Sequence, residues 1–122
     1  MLEHSIEVMR KTLELMDTCI EGVEYITWRL HEGKMEACLD LLEDIVCGFC
    51  KMKDSMDLLN NYFSRHYDDN KEFEVESELD AIITAYKLQH INQAIFHAGR
   101  LLTGFMVWKG ELEGHFRSFI LS

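Results

Sequence analysis

The chain has 122 residues, 48% of them hydrophobic, and a formal net charge of −10 at neutral pH. This length suits one domain with a sizeable core, so we expect residues 1–122 to form a single unit. The negative charge argues against nucleic acid as a partner, because phosphate contacts need a basic surface. No apolar run is long enough to span a bilayer and no secretory signal opens the chain, which predicts a soluble, cytoplasmic protein without membrane contact.

Residues 2–31 carry the pattern of a long amphipathic helix. Largely apolar positions recur at alternating steps of three and four residues, which keeps them on one side of an α-helix. This seam comprises Leu2, Ile6, Met9, Leu13, Met16, Ile20, Val23, Thr27 and Leu30, and it is widened on one side by Val8, Leu15, Cys19 and Ile26. A face this wide is typical of a helical bundle. Gly33 is expected to end the helix by adopting a positive φ angle.

Residues 34–65 predict a second helix, antiparallel to the first because the connection between them is so short. Its apolar seam keeps the same spacing and comprises Met35, Cys38, Leu42, Ile45, Phe49, Met52, Met56, Leu59 and Phe63. Closing the hairpin in this register places Met16 near Phe49, and Ile20 near Ile45. All four are seam positions, so the two seams are expected to form one core.

Residues 66–72 are predicted to form a loop that leads into a second helical hairpin. The seam that opens this hairpin stops after Val75, Leu79, Ile82 and Tyr86. A seam of different phase then runs through Ile91, Ala94, Ala98, Leu101, Phe105, Trp108, Leu112 and Phe119. The change of phase predicts a break within 87–92, with Asn92 as a helix cap, between helices over 73–88 and 91–119. One continuous, kinked helix is the alternative.

The predicted fold is therefore all-α: an antiparallel four-helix bundle of two hairpins, the third helix shorter than the rest. Two features resemble a family of small, uncharacterised bacterial proteins that form two long helical hairpins. One is Trp108-Lys109, late in the last helix, and the other is the acidic and aliphatic run Glu36-Ala37-Cys38-Leu39-Asp40-Leu41-Leu42-Glu43-Asp44-Ile45. The resemblance covers most of the chain. It implies the bundle fold and no activity, since that family has none assigned.

Cys47 and Cys50 form a CxxC motif in the middle of the second helix. Helical spacing puts both on the side away from the seam, among acidic residues. A further helix or a second subunit covering the sulfurs is one interpretation, and metal binding or a thiol–disulfide role are the others. A structural zinc takes four ligands, and no second pair follows at matching spacing. Reactive CxxC pairs commonly sit at a helix N-terminus, whereas this pair is mid-helix.

Motifs for catalysis and cofactor binding are missing from the sequence. The Glu-x-x-His pairs of diiron bundles do not occur, and neither do phosphate-binding loops or nucleophile elbows. We therefore expect no catalytic residues, no cofactor and no enzymatic activity.

Several large apolar residues lie outside the seams, and such residues mark an interaction surface if they remain exposed. Together with the CxxC pair they define a candidate partner surface of Tyr25, Trp28, Cys47, Cys50, Phe96 and Met106. The sequence thus predicts a non-enzymatic interaction protein that binds a partner protein or forms a homodimer. The alternative is a thiol-dependent metal-binding or redox protein that uses Cys47 and Cys50.

Overall fold

The computed structural model describes the backbone of residues 2–63 and 69–120, and the side chains of 3–36, 38–60 and 71–117. The described chain folds into four α-helices, which confirms the all-α prediction. They are α1 (Leu2–His31), α2 (Leu39–Phe63), α3 (Asp69–Lys87) and α4 (Ile91–Ile120), with a 3-10 turn at Glu36–Cys38 just before α2. As expected, α3 is the shortest helix.

The four helices form a ring in which three of the four neighbouring pairs pack closely. Among the described residues, α1 packs closely along both α2 and α4, and α3 packs along α4. The order around the ring is therefore α2, α1, α4, α3. The remaining neighbours, α2 and α3, scarcely touch. The two hairpins thus share a core through α1 and α4 and leave the opposite side open.

The turn that closes the first hairpin depends on Gly33, as the sequence predicts. Its φ angle is +81°, in the region that disfavours residues with a Cβ atom. The Gly33 N–H donates to the Leu30 carbonyl at 2.9 Å, and the Lys34 N–H donates to the Arg29 carbonyl at 3.0 Å. These two bonds form a Schellman motif, which satisfies carbonyl groups at the end of α1 and reverses the chain.

The second hairpin uses the same motif without a glycine. Gln89 has a φ angle of +56°. Its N–H donates to the Tyr86 carbonyl at 3.2 Å, and the His90 N–H donates to the Ala85 carbonyl at 2.9 Å. α3 therefore ends in a left-handed residue and α4 turns back antiparallel, so the alternative of one kinked helix is wrong.

Two predicted helix starts and one predicted helix cap need correction. The second α-helix begins at Leu39 instead of residue 34, because the 3-10 turn intervenes. α3 begins at Asp69, so part of the predicted 66–72 loop is helical, while 64–68 lie outside the described residues. Asn92 is inside the first turn of α4 and does not cap it; the residue before the helix is His90, whose carbonyl accepts from the Ala94 N–H.

The seams of α2 and α4 form the core much as predicted. The buried residues are Cys38 of the 3-10 turn and, on α2, Leu42, Ile45, Phe49, Met52, Met56 and Leu59. On α4 they are Ala94, Ala98, Leu101, Phe105, Trp108, Leu112 and Phe116. The predicted positions Phe63 and Phe119 fall outside the described side chains.

The buried face of α1 is rotated relative to the predicted seam. Cys19 and Ile26, expected at one edge, are buried in the core, and Ile20 and Thr27 are only half-buried. Thr12 is fully buried, and its hydroxyl donates to the Val8 carbonyl at 2.8 Å. Because that bond satisfies the hydroxyl within the helix, a polar residue takes a core position that an apolar pattern does not count.

Candidate functional site

A concave feature of the described chain is a groove on the open side of the bundle, between α2 and α3. It has a volume of about 1370 Å³. Its walls are mainly aliphatic and aromatic side chains from both helices, and the start of α4 closes one end. The apolar residues that line this α2–α3 groove are Met35, Leu39, Leu42, Val46, Ile83, Tyr86 and Ile91.

An ion pair joins α2 and α3 at the other end of the open side. Lys53 Nζ of α2 lies 3.2 Å from Glu76 Oε2 of α3, with both side chains partly exposed. The hydrogen bond with Glu76 raises the pKa of Lys53. The two helices therefore meet through a polar contact here and are held apart along the apolar groove.

Beneath the groove, the buried part of Tyr86 meets Cys38. Burial and the neighbouring thiol both raise the pKa of the Tyr86 phenol. Burial also raises the pKa of Cys38, against the opposing effects of Tyr86 and Arg29. The Tyr86 hydroxyl makes no hydrogen bond of acceptable geometry within the described part of the chain. Both groups stay neutral at physiological pH, so the floor of the groove is uncharged.

The α2 rim of the groove is acidic. Glu36 of the 3-10 turn and Glu43 of α2 line the groove, and Asp40 is exposed on α2 three residues before Glu43, on the same edge of the helix. None of the three forms an ion pair with a described side chain. The two cations of the lining, Lys34 and Lys87, both lie at the end of the groove formed by the hairpin turns.

Cys47 and Cys50 are both exposed and unpaired. The interpretation in which a further helix of this chain covers them is therefore wrong. Cys47 borders the α2–α3 groove. In the described part of the chain, no three His, Cys, Asp or Glu side chains come together as a metal site would require.

The two residues inside the CxxC motif belong to the core. A Cβ atom added at Gly48 would lie 2.9 Å from the Sγ of Cys19, so the glycine allows α1 to approach α2. Phe49 packs edge-on against Trp108, with ring centroids 6.0 Å apart. Burial raises the pKa of the Cys19 thiol to about 11. The motif thus combines two packing residues with two outward-facing thiols.

A second exposed feature is an aromatic pair on α1. Tyr25 and Trp28 are 44% and 58% exposed, and their rings meet edge-on at 5.9 Å. The guanidinium carbon of Arg29 lies 5.9 Å from both ring centroids, within cation–π range.

The outer face of the second hairpin carries the third exposed apolar cluster. Phe73, Phe96 and Val107 line a shallow groove between α3 and α4, and Phe73 is 71% exposed. Beside it, Glu78 Oε2 lies 2.6 Å from His97 Nδ1, and Glu78 Oε1 accepts from Arg100 Nε at 2.7 Å. This polar cluster fixes α3 against α4 next to the apolar face.

All six residues of the predicted partner surface are exposed, but the fold does not bring them together. They are distributed over α1, α2 and α4, and of the six only Cys47 borders the α2–α3 groove. The groove residues Leu39, Val46 and Ile83 are absent from the predicted partner surface. A signal for them was present, because each is an apolar residue beside a seam position on its helix.

No described helix contains a stretch long and apolar enough to cross a membrane. No match was found among curated proteins or among solved structures. A family model, a domain of unknown function (DUF8042), matches residues 7–105. This confirms the expected relationship to an uncharacterised family: the chain belongs to the DUF8042 family of unknown function.

Proposed function

We propose that this protein is a non-enzymatic interaction module that binds an amphipathic helix of a partner protein in the α2–α3 groove. The open side of the bundle is the observation that carries the proposal. Three of the four helix–helix seams are packed, and the fourth leaves apolar walls facing solvent. An amphipathic helix laid in such a groove would bury its apolar stripe and complete the packing.

The dimensions of the groove support a helix as the occupant. The part of α2 that lines it, from Leu39 to Cys47, extends about 12 Å at 1.5 Å per residue, or about two helical turns, and the lining continues from Gly33 to Glu36 before the helix begins. Two or three apolar side chains at helical spacing fit that length. The four cysteines are unpaired, which supports a reducing compartment such as the cytoplasm as the place of action.

Site-specific photo-crosslinking tests this proposal in the cells that make the protein. A photoreactive amino acid at Glu43, an exposed residue of the groove lining, is expected to crosslink to a helical segment of a partner, mapped by mass spectrometry. The matched control is the same amino acid at Glu21, exposed on α1 away from the groove. Equal crosslinking from both positions, or none from position 43, contradicts the proposal.

Self-association is a second form of interaction, favoured by the outer α3–α4 face. Its exposed apolar residues Phe73, Phe96 and Val107 lie among two cations and two acids, Lys71, Arg100, Glu74 and Glu78. This face carries equal numbers of cations and acids, although the chain carries −10 overall, so two copies could pair opposite charges across a contact there. Light scattering tests it: a dimer that Phe96→Glu dissociates supports the homodimer, and a monomer at all concentrations excludes it.

Thiol chemistry at Cys47 and Cys50 is the second candidate function, favoured by the exposure of both sulfurs. Two thiolates supply half of a four-ligand structural zinc site, and a second copy would supply the other half. Metal analysis of freshly purified protein, together with thiol titration of the native state, tests this candidate. Metal retained by the native chain and lost in Cys47→Ser supports it, and two metal-free thiols without redox turnover exclude it.

A further inference from the structure

The charges around the α2–α3 groove identify the chemistry of its occupant. We infer that the groove selects a helix whose apolar stripe is flanked by lysine and arginine residues. This inference rests on the proposed function and adds the class of partner to it.

The acidic rim lacks partners of its own. Glu36, Asp40 and Glu43 form no ion pair with any described side chain, whereas several acids elsewhere on the surface do. On the α3 side Asp80 is also exposed, one turn before the groove residue Ile83. Bases flanking the stripe of an incoming helix would pair with these acids across the edge of the groove.

The charge of the whole chain acts in the same direction. A net charge of −10 repels an acidic helix at long range and attracts a basic one, which raises the association rate at low ionic strength. An acidic partner would place like charges beside the α2 rim, and such pairs are unfavourable. Charge therefore discriminates between two helices with the same apolar stripe.

The cations at the turn end also give the occupant a direction. Lys34 and Lys87 both line the groove where the hairpins turn, and neither forms an ion pair with a described side chain. Cations favour the C-terminal end of a helix, whose last carbonyl groups carry partial negative charge. The bound helix is thus oriented with its C-terminal end at the hairpin turns and its basic flanks along α2.

Two designed peptides provide the test. Both carry leucine on one face at helical spacing; one has lysine and the other glutamate at the flanking positions. Titration calorimetry on the full chain is expected to show the lysine peptide binding at least about tenfold more tightly at about 50 mM salt. The difference is expected to shrink as salt is raised to about 500 mM, where the Debye length is only a few ångströms.

Matched variants test whether the preference for the lysine peptide arises at the groove. The double substitution Asp40→Lys with Glu43→Lys is expected to remove the preference for the lysine peptide. The same charge change at Glu14 and Glu21, exposed on α1 away from the groove, is expected to keep most of the preference for the lysine peptide. Leu39→Gln tests the apolar wall, and Leu58→Gln is its control, because both leucines are about half exposed on α2 but only Leu39 lines the groove.

The outcomes separate this inference from the proposed function. If both peptides bind equally well and Leu39→Gln weakens both, the groove binds helices without charge selection, and only the inference is overturned. If neither peptide binds, or Leu39→Gln and Leu58→Gln have the same effect, both are overturned. Self-association that Leu39→Gln abolishes would identify a second copy as the occupant and overturn the inference. Circular dichroism of each variant checks that the bundle remains folded.

Discussion

Gly48 of α2 and Cys19 of α1 determine how closely the first hairpin packs. A Cβ atom at position 48 would lie 2.9 Å from the Cys19 sulfur, closer than the two atoms can approach without movement. The Cys19 thiol is 4.0 Å from the Ile45 carbonyl and buried, so it has little room to move. The glycine of the CxxC motif therefore has a packing role that is independent of the two exposed thiols.

Gly48→Ala is expected to destabilise the protein by about 1 kcal/mol, because overpacking a tight contact outweighs the better helix propensity of alanine. The control is Gly110→Ala on α4, where an added Cβ meets open space and stability should rise by up to about 1 kcal/mol. Chemical denaturation measures both. In a Cys19→Ala background the cost of Gly48→Ala should disappear, and an unchanged cost would show that the contact is not its cause.

Gln89→Gly is expected to stabilise the protein by about 0.5–1 kcal/mol. Gln89 has a positive φ angle, which costs a residue with a Cβ atom about 1–2 kcal/mol and costs glycine nothing. Gln93→Gly, an exposed position in the first turn of α4, is the control and should destabilise by a similar amount. Thermal unfolding measures both, and the same sign for the two variants contradicts the left-handed conformation at residue 89.

Native-state thiol titration is expected to show two cysteines that react fast with the reagent and two that react slowly. Cys47 and Cys50 are exposed, whereas Cys19 and Cys38 are buried and react only after the bundle opens. A Cys47→Ser and Cys50→Ser double variant should lose the fast phase entirely. More than two fast thiols in the native protein would show that the α1–α2 core is less closed than the structure indicates.

The free energy of unfolding is expected to fall as pH rises from about 9 to about 11. Burial raises the pKa of Cys19 from 9.0 to about 11, so the folded chain keeps a proton that the unfolded chain has lost. The full effect of this one group is about 3 kcal/mol, at 1.36 kcal/mol per pH unit. Cys19→Ala should reduce the slope of the free energy of unfolding against pH in this range. An identical slope in both proteins contradicts the raised pKa of Cys19.

Glu78→Gln is expected to destabilise the second hairpin by about 1–2 kcal/mol. Glu78 is only 14% exposed and links His97 and Arg100, so its removal weakens two short contacts between α3 and α4. Glu74→Gln, a largely exposed acid paired with Lys71 one turn away, is the control and should cost at most about 0.5 kcal/mol. Equal effects in denaturant titrations would mean that the Glu78 cluster adds little to the packing.

Spacing alone predicted the buried residues of α2 from Leu42 to Leu59, because every core position there is apolar, whereas the predicted seam residue Met35 is only half-buried. It misplaced the core face of α1, where buried Thr12 satisfies its hydroxyl within its own helix and an apolar count passes over it. The cap expected at Asn92 was wrong for a related reason. The chain reverses through the backbone geometry of Gln89, and glutamine carries no turn signal of the kind that glycine does at Gly33.

The candidate site was harder to predict than the fold. Apolar periodicity identifies which face of a helix is buried, but it does not show which two helices in a ring stay apart. Leu39 and Val46 therefore did not stand out in the sequence, although in the structure they form one wall of a groove. The aromatic residues chosen instead, such as Trp28, are exposed but lie on other helices.

Methyl NMR with the leucine–lysine peptide tests whether the α2–α3 groove binds a helix. The methyl resonances of Leu39, Val46 and Ile83, which line the groove, are expected to shift on addition of the peptide. Those of Leu58 and Val107, which are exposed elsewhere, should remain in place. Shifts confined to Leu58 or Val107, or no shifts at a saturating peptide concentration, would contradict the assignment of the open side of the bundle as a helix-binding groove.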